Sequence, residues 1–178
     1  MAVSVRVVEK AELKNYPAER LLIDSITSRL TGEERLLRLH LLDRIIEKGG
    51  PVSISSLIRS AAPLQIETDS LIHRMMDKRV IVADEAGNIN FAYPVSALPT
   101  NHKVTLKDGR GFHAMCAVDA MGAAFTFKQD IGVDSICADC GQKISIAIED
   151  EEIAELSPKS AHVLHVDLNN ADNWAGSC

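Results

Sequence analysis

Gly109-Arg110-Gly111-Phe112-His113-Ala114-Met115-Cys116-Ala117-Val118-Asp119 is where the chain passes from strand-like to helix-like patterning, and its reading decides the second half of the molecule. Gly109 and Gly111, with the polar run before them, predict a hairpin turn. Ala120-Met121-Gly122-Ala123-Ala124-Phe125 predicts the apolar helix that follows. Cys116 is therefore expected at or near a helix N-terminus, where unsatisfied N–H groups and the helix dipole favour thiolate over thiol. The i, i+3 spacing sets Asp119 on the same face, within reach of the sulfur. Such a pair can hold a soft electrophile and pass it a proton. The same residues also fit a half-buried cysteine packed under a helix, with Asp119 an ordinary first-turn acid.

Working outward, the residues after Pro94 read as short strands: Lys103 to Leu106, Gly111 to Ala114, Ile131 to Ile136, Lys143 to Ile148 and His162 to Leu168. The acidic run from Asp150 to Leu156 reads as a solvated turn or short helix. Before Pro94 the pattern is helical. Leu36, Leu37, Leu39, Leu41, Leu42, Ile45 and Ile46 recur at helical spacing from Glu33 to Lys48, and Gly49-Gly50-Pro51 ends that helix. Ser53 can cap a second helix running to Ala61, and Glu67 to Lys78 predicts a third, with Leu71, Ile72, Met75 and Met76 inward. Val80 to Ala83 and Ile89 to Tyr93 flank a Gly-containing loop and predict a hairpin. Three helices and a hairpin make a winged-helix-like pattern. The expected fold class is α+β, divided into an N-terminal arm (residues 1–32, with a short helix from Ala18 to Leu30), a winged-helix-like region (33–93) and a small mixed β-rich region (94–178).

Composition narrows the function classes. Of the 178 residues 46% are hydrophobic and 25% charged, as in a globular protein rather than a disordered one. No apolar run is long enough to span a bilayer, and Met1-Ala2-Val3-Ser4-Val5-Arg6 has no secretory pattern, so a cytoplasmic location without a membrane partner is expected. A net charge of −6 argues against a general nucleic-acid surface. On the third helix His73, Arg74, Lys78 and Arg79 are nearly balanced by Glu67, Asp69 and Asp77, which weakens the DNA-binding meaning of the winged-helix pattern. Four cysteines in a reducing compartment point to reactive or metal-binding thiols.

Three landmarks occur in order: Leu98-Pro99-Thr100-Asn101-His102-Lys103-Val104-Thr105-Leu106-Lys107-Asp108-Gly109-Arg110 leading into Ala114-Met115-Cys116-Ala117-Val118-Asp119; Val133-Asp134-Ser135-Ile136-Cys137; and Asp172-Asn173-Trp174-Ala175-Gly176-Ser177-Cys178. Together they resemble the organomercurial (alkylmercury) lyases, over roughly Glu33 to Cys178 and most closely from Pro94 to Cys137. Met115 stands where that family often has an aromatic residue, Cys140 is an additional thiol, and the family continues through further strands where this sequence stops, which suggests a shortened or fragmentary member. The resemblance implies a lyase-type C-terminal domain and a similar N-terminal region. It also implies protonolysis of a carbon–mercury bond to a hydrocarbon and Hg(II), with no redox cofactor. Cys116 and Cys178 would be the two thiolates. Asp119 would be the proton carrier, taking its proton from a cysteine, and then a ligand to the product ion. The implied partners are the organomercurial substrate, small-molecule thiols and a mercuric reductase that accepts Hg(II).

The chemistry suits the residues. Mercury is soft and prefers thiolates, and an acid beside the metal-bound carbon can protonate it. Two rival readings stay open: a winged-helix regulator whose cysteines sense a thiophilic metal, and a zinc-stabilised interaction module. Cys137-Ala138-Asp139-Cys140-Gly141 is half of a zinc-ribbon site, needing Cys116, Cys178 or one of His113, His162 and His165 to complete it. Taken by itself, Cys137 reads as buried filler at a strand end. The expected strand spacing puts His162 and His165 on opposite faces, as packing or surface residues.

Overall fold

A computed structural model describes residues 26–163, the Thr27 side chain excepted. Among the described residues a 3₁₀ turn, Ile26–Arg29, precedes the first helix, and the rest of the expected 18–30 helix lies outside them. Helix α1 (Gly32–Lys48) starts at Thr31, whose hydroxyl accepts from the Glu34 N–H while the Glu34 carboxylate accepts from the Thr31 N–H. It stops at Gly49, which takes the left-handed conformation at φ +66°. Its buried face carries Leu37, Leu41, Leu42 and Ile45, and also two charged residues, Glu34 and Arg38.

The two-residue strand β1 (Val52–Ser53) leads into α2 (Ile54–Ala61), capped by the Ser53 hydroxyl as expected. A 3₁₀ turn containing Pro63 follows, then α3 (Thr68–Asp77), which buries Leu71, Ile72 and Met75. Strands β2 (Ile81–Ala83) and β3 (Asn88–Ala92) form the expected hairpin, and β1 pairs with the other edge of β3. The helices close over this small sheet through one core that includes Leu37, Leu41, Leu57, Leu71, Met75 and Ile89.

The sheet does not end there. Strand β4 (Val95–Ser96) joins β3 to β6 (Gly111–Ala114), which pairs with β5 (His102–Leu106), then β7 (Ile131–Ile136), β8 (Lys143–Glu149) and β9 (Glu152–Ser157). All these pairings are antiparallel, and with β1 and β2 they make nine strands among the described residues. Burial alternates along β7: Ile131, Val133 and Ser135 face inward, Gly132, Asp134 and Ile136 outward. Helix α4 (Ala117–Phe127) lies on that inner face, its Ala120, Ala123 and Ala124 buried in the core shared with Val104, Leu106 and Val133.

The acidic segment departs from expectation. Asp150 and Glu151 form a tight turn in left-handed geometry (φ +49° and +65°), and Glu152 to Ser157 is then a strand hydrogen-bonded to β8 rather than a turn or helix. Its side chains from Glu152 to Glu155 are exposed, so the solvated character holds although the backbone state does not. Backbone pairing to a neighbour has overridden a composition poor in strand formers. His162 and Val163 are not in a strand, and the remainder of the expected 162–168 strand lies outside the described residues.

Candidate active site

Cys116 is the N-cap of α4, with extended backbone (φ −145°, ψ 178°), and its carbonyl accepts the first helical hydrogen bond from Ala120 at 2.9 Å. That places the half-buried thiol at the positive end of the helix, as its sequence context predicts. One turn on, the Asp119 carboxyl is only 3% exposed, and its Oδ2 lies 3.3 Å from the Cys116 sulfur in a hydrogen bond. Burial, followed by the charge and hydrogen bond of Cys116, pushes the Asp119 pKa up to about 9, against the lowering effects of hydrogen bonds from the Tyr93 side chain and the Cys116 N–H. At neutral pH this residue is therefore an acid holding its proton.

Two further residues complete the surroundings. Tyr93 lies just before β4 and reaches the Asp119 carboxyl with its side chain. Its carbonyl accepts two hydrogen bonds from Arg38 of α1, Nε at 2.8 Å and Nη2 at 2.6 Å. Arg38 is itself 5% exposed; burial draws its pKa down to about 10 in spite of the opposing pull of Asp119. So α1, the residue leading into β4 and the first turn of α4 converge on one sulfur and one acid. Sequence reasoning missed Arg38 and Tyr93. The available signal was a charged residue, four positions after Glu34, on the face of α1 that carries Leu41, Leu42 and Ile45.

The other candidate residues go elsewhere. Cys178 and His165 lie outside the described residues. Cys137 and Cys140 occupy the β7–β8 turn, where backbone N–H groups of Cys140 and Asp139 and the Cys140 thiol donate to the Cys137 sulfur and lower its pKa. His113 Nδ1 sits 3.0 Å from the Thr100 carbonyl, and His162 Nδ1 sits 2.6 Å from the Ser160 carbonyl. Among the described residues no three His, Cys, Asp or Glu side chains are placed to share a metal ion. Asp108-Gly109-Arg110 is a structural clamp at the opposite end of β6 from Cys116: Arg110 binds Asp108 at 2.8 Å and Asp43 of α1 at 2.6 Å. On α3, Arg74 and Lys78 are drawn onto buried Glu34 at 3.3 and 2.6 Å, so these two cations of the expected DNA-reading surface serve packing.

Residues 95–178 match the model of the MerB alkylmercury lyases, the stretch that contains Cys116, Asp119 and Cys178. Over this stretch the chain is similar to the alkylmercury lyases. The chain is also similar to a solved structure described as the mercury-bound form of MerB2, at a TM-score of 0.56 and 25% identity. The alignment covers 76% of this chain and 65% of that one, so the present sequence spans less than two thirds of the length of that protein. No curated protein gives a match. No described helix is long and apolar enough to cross a membrane.

Proposed function

We propose that this chain is an organomercurial lyase that cleaves carbon–mercury bonds by protonolysis, with Cys116 as first thiolate, Asp119 as proton donor and Cys178 as second thiolate. The observation that carries this reading is a single contact: a thiol at a helix N-terminus 3.3 Å from a buried carboxyl that keeps its proton at neutral pH. The Cys116 thiolate displaces the leaving ligand of R–Hg–X, giving a protein-bound S–Hg–R, and the thiol proton departs with that ligand as HX. A second thiolate adds electron density to the mercury and weakens its bond to carbon. The Hg–C electron pair then takes the Asp119 proton and leaves as R–H. The Asp119 carboxylate that remains is the third ligand to Hg²⁺. Every bond change is a proton or ligand exchange, so no electron acceptor is required.

Tyr93 and Arg38 act through Asp119. A phenol on the carboxyl fixes which oxygen faces the sulfur, and a buried guanidinium on the Tyr93 carbonyl holds that phenol in place. We read residues 1–32 as an arm, 33–93 as a winged-helix-like unit retained for this support rather than for DNA, and 94–178 as the catalytic region. Release of Hg(II) to small thiols, and from there to a mercuric reductase within a cytoplasmic detoxification route, completes the proposal.

The test is incubation of the protein with phenylmercuric acetate and excess thiol, with benzene measured by gas chromatography. Benzene is expected from the wild type and absent in Cys116→Ala and Asp119→Ala. Stoichiometric mercury uptake without benzene overturns the reading.

A further inference from the structure

The β7–β8 turn carries a second pair of thiols that the lyase chemistry does not use. Cys137 is half-buried and Cys140 exposed, and neither is in a disulfide. The turn is held by two backbone bonds, Gly141 N–H to the Cys137 carbonyl at 3.0 Å and Cys137 N–H to the Gln142 carbonyl at 2.9 Å. Gly141 makes the reversal in left-handed geometry at φ +71°, a conformation that a side chain there would strain. This backbone holds both cysteines on one turn, where the N–H groups of Asp139 and Cys140 and the Cys140 thiol favour the thiolate of Cys137. N–H groups directed at a sulfur stabilise the thiolate, which is the form that binds metal. Two adjacent sulfurs on one rigid turn thus form a preorganised chelate.

The number of donors selects the ion. Zinc needs about four ligands in tetrahedral array, and no described His, Cys, Asp or Glu joins these two sulfurs as a third. A mercuric ion is satisfied by two thiolates, and softness favours sulfur over water or carboxylate. The turn is also well placed. Cys116 follows the C-terminal end of β6, and Cys137 follows the C-terminal end of β7. Strand β5 lies between them, Lys103 pairing with both His113 and Asp134. At that end Thr100 Oγ1 donates to the Ala114 carbonyl and the Ile136 N–H donates to the Asn101 carbonyl. Two strand spacings separate β6 from β7, about 10 Å, so both thiol positions emerge from the same end of the sheet.

We propose that Cys137 and Cys140 form a second, two-thiolate site that binds mercuric ion beside the Cys116 centre. The ion arrives as a bis-thiolate complex: two protein thiols and Hg(SR)₂ exchange to a protein-held Hg(S)₂ and two RSH, with no change of oxidation state. Supply of that ion by cleavage at Cys116 rests on the lyase reading; its binding does not.

The experiment is equilibration of the full chain with inorganic mercuric ion presented as its bis-cysteine complex, then desalting and measurement of retained mercury per chain by elemental mass spectrometry. Cys140→Ser, at an exposed position, and Cys137→Ser, which keeps an acceptor for the same N–H groups, are each expected to retain one ion fewer than the wild type. The loss is expected again in a Cys116→Ala background. Equal retention in wild type and Cys140→Ser overturns the proposal, as does a four-coordinate thiolate spectrum on loading the turn with Co(II). Because the probe is inorganic mercury, a chain that makes no benzene still answers the question, and a negative titration leaves the lyase reading untouched.

Discussion

Glu34 and Asp119 both sit in the first turn of a helix, and both are shut away from water, at 0% and 3% exposure. The helix dipole favours the charged form at each. Yet Glu34 is lowered to about 2 and Asp119 raised to about 9. Burial pushes both upward. At Glu34 it is outweighed by Lys78, by the Thr31 N–H and by Arg74. At Asp119 it is reinforced by Cys116, and the nearby guanidinium of Arg38 makes its hydrogen bonds to the Tyr93 carbonyl. The difference separates a carboxylate that joins two helices from an acid that keeps its proton at neutral pH.

The largest expected effect is on turnover. Asp119→Asn should retain mercury but lose benzene formation by roughly 10²–10⁴-fold, the range associated with a positioned acid, with mercury retention and product measured on the same sample. Equal turnover in that variant removes the assigned role. The same substitution should raise the melting temperature near pH 7. A buried acid kept neutral against a reference of 3.8 costs stability at neutral pH, and the amide removes a cost on the order of a few kcal/mol.

Glu34→Gln should act in the opposite sense. Removing the charge that partly exposed Lys78 and Arg74 share should destabilise by about 2 kcal/mol, read from denaturant unfolding at pH 7. The two acids should also separate by pH. Folded Glu34 has the lower pKa, so its contribution is full above about 4.5, shrinks as pH falls and is gone below about 2. Folded Asp119 has the higher pKa, so its cost is absent below 3.8 and grows until about 9. The stability gap between wild type and Glu34→Gln should therefore close on acidification. The gap between wild type and Asp119→Asn should open as pH rises. A gap that moves the other way in either series breaks the comparison.

Arg38→Met tests the link between the regions. It removes two hydrogen bonds from the Tyr93 carbonyl, and the expected result is a several-fold fall in benzene formation with a shifted alkaline limb in its pH profile. A purely structural role lowers stability without moving that limb. The smallest effect is expected from Thr31→Ala, which breaks the capping box beside Glu34 and should cost about 1 kcal/mol with turnover unchanged.

Most of the helices and the contact between Cys116 and Asp119 were legible in the sequence because their signals are local. Gly49 ends α1, Ser53 caps α2, and the i, i+3 spacing of Cys116 and Asp119 needs only a helix start to bring the two together. What escaped was set by distant partners. Strands β1 and β4 are two residues each and exist through their pairing to β3 and β6. The β9 residues include two glutamates, and the β8 edge decides their state. Arg38 meets the Tyr93 carbonyl across 55 positions, a relation that no short window contains. Even so, two charges on the apolar face of α1 mark where the fold departs from simple packing.

Strand β6 is anchored at both ends: Arg110 is tied to Asp43 of α1 at one, and the Ala114 carbonyl receives the Thr100 hydroxyl at the other. Four residues thus act as a ruler between a helix surface and a reactive sulfur. Inserting one residue into it would turn Phe112 and Ala114 away from the interior and slide Cys116 by about 3.4 Å. The hairpin tip can absorb such a slip, but Cys116 and Asp119 would then travel together away from Tyr93.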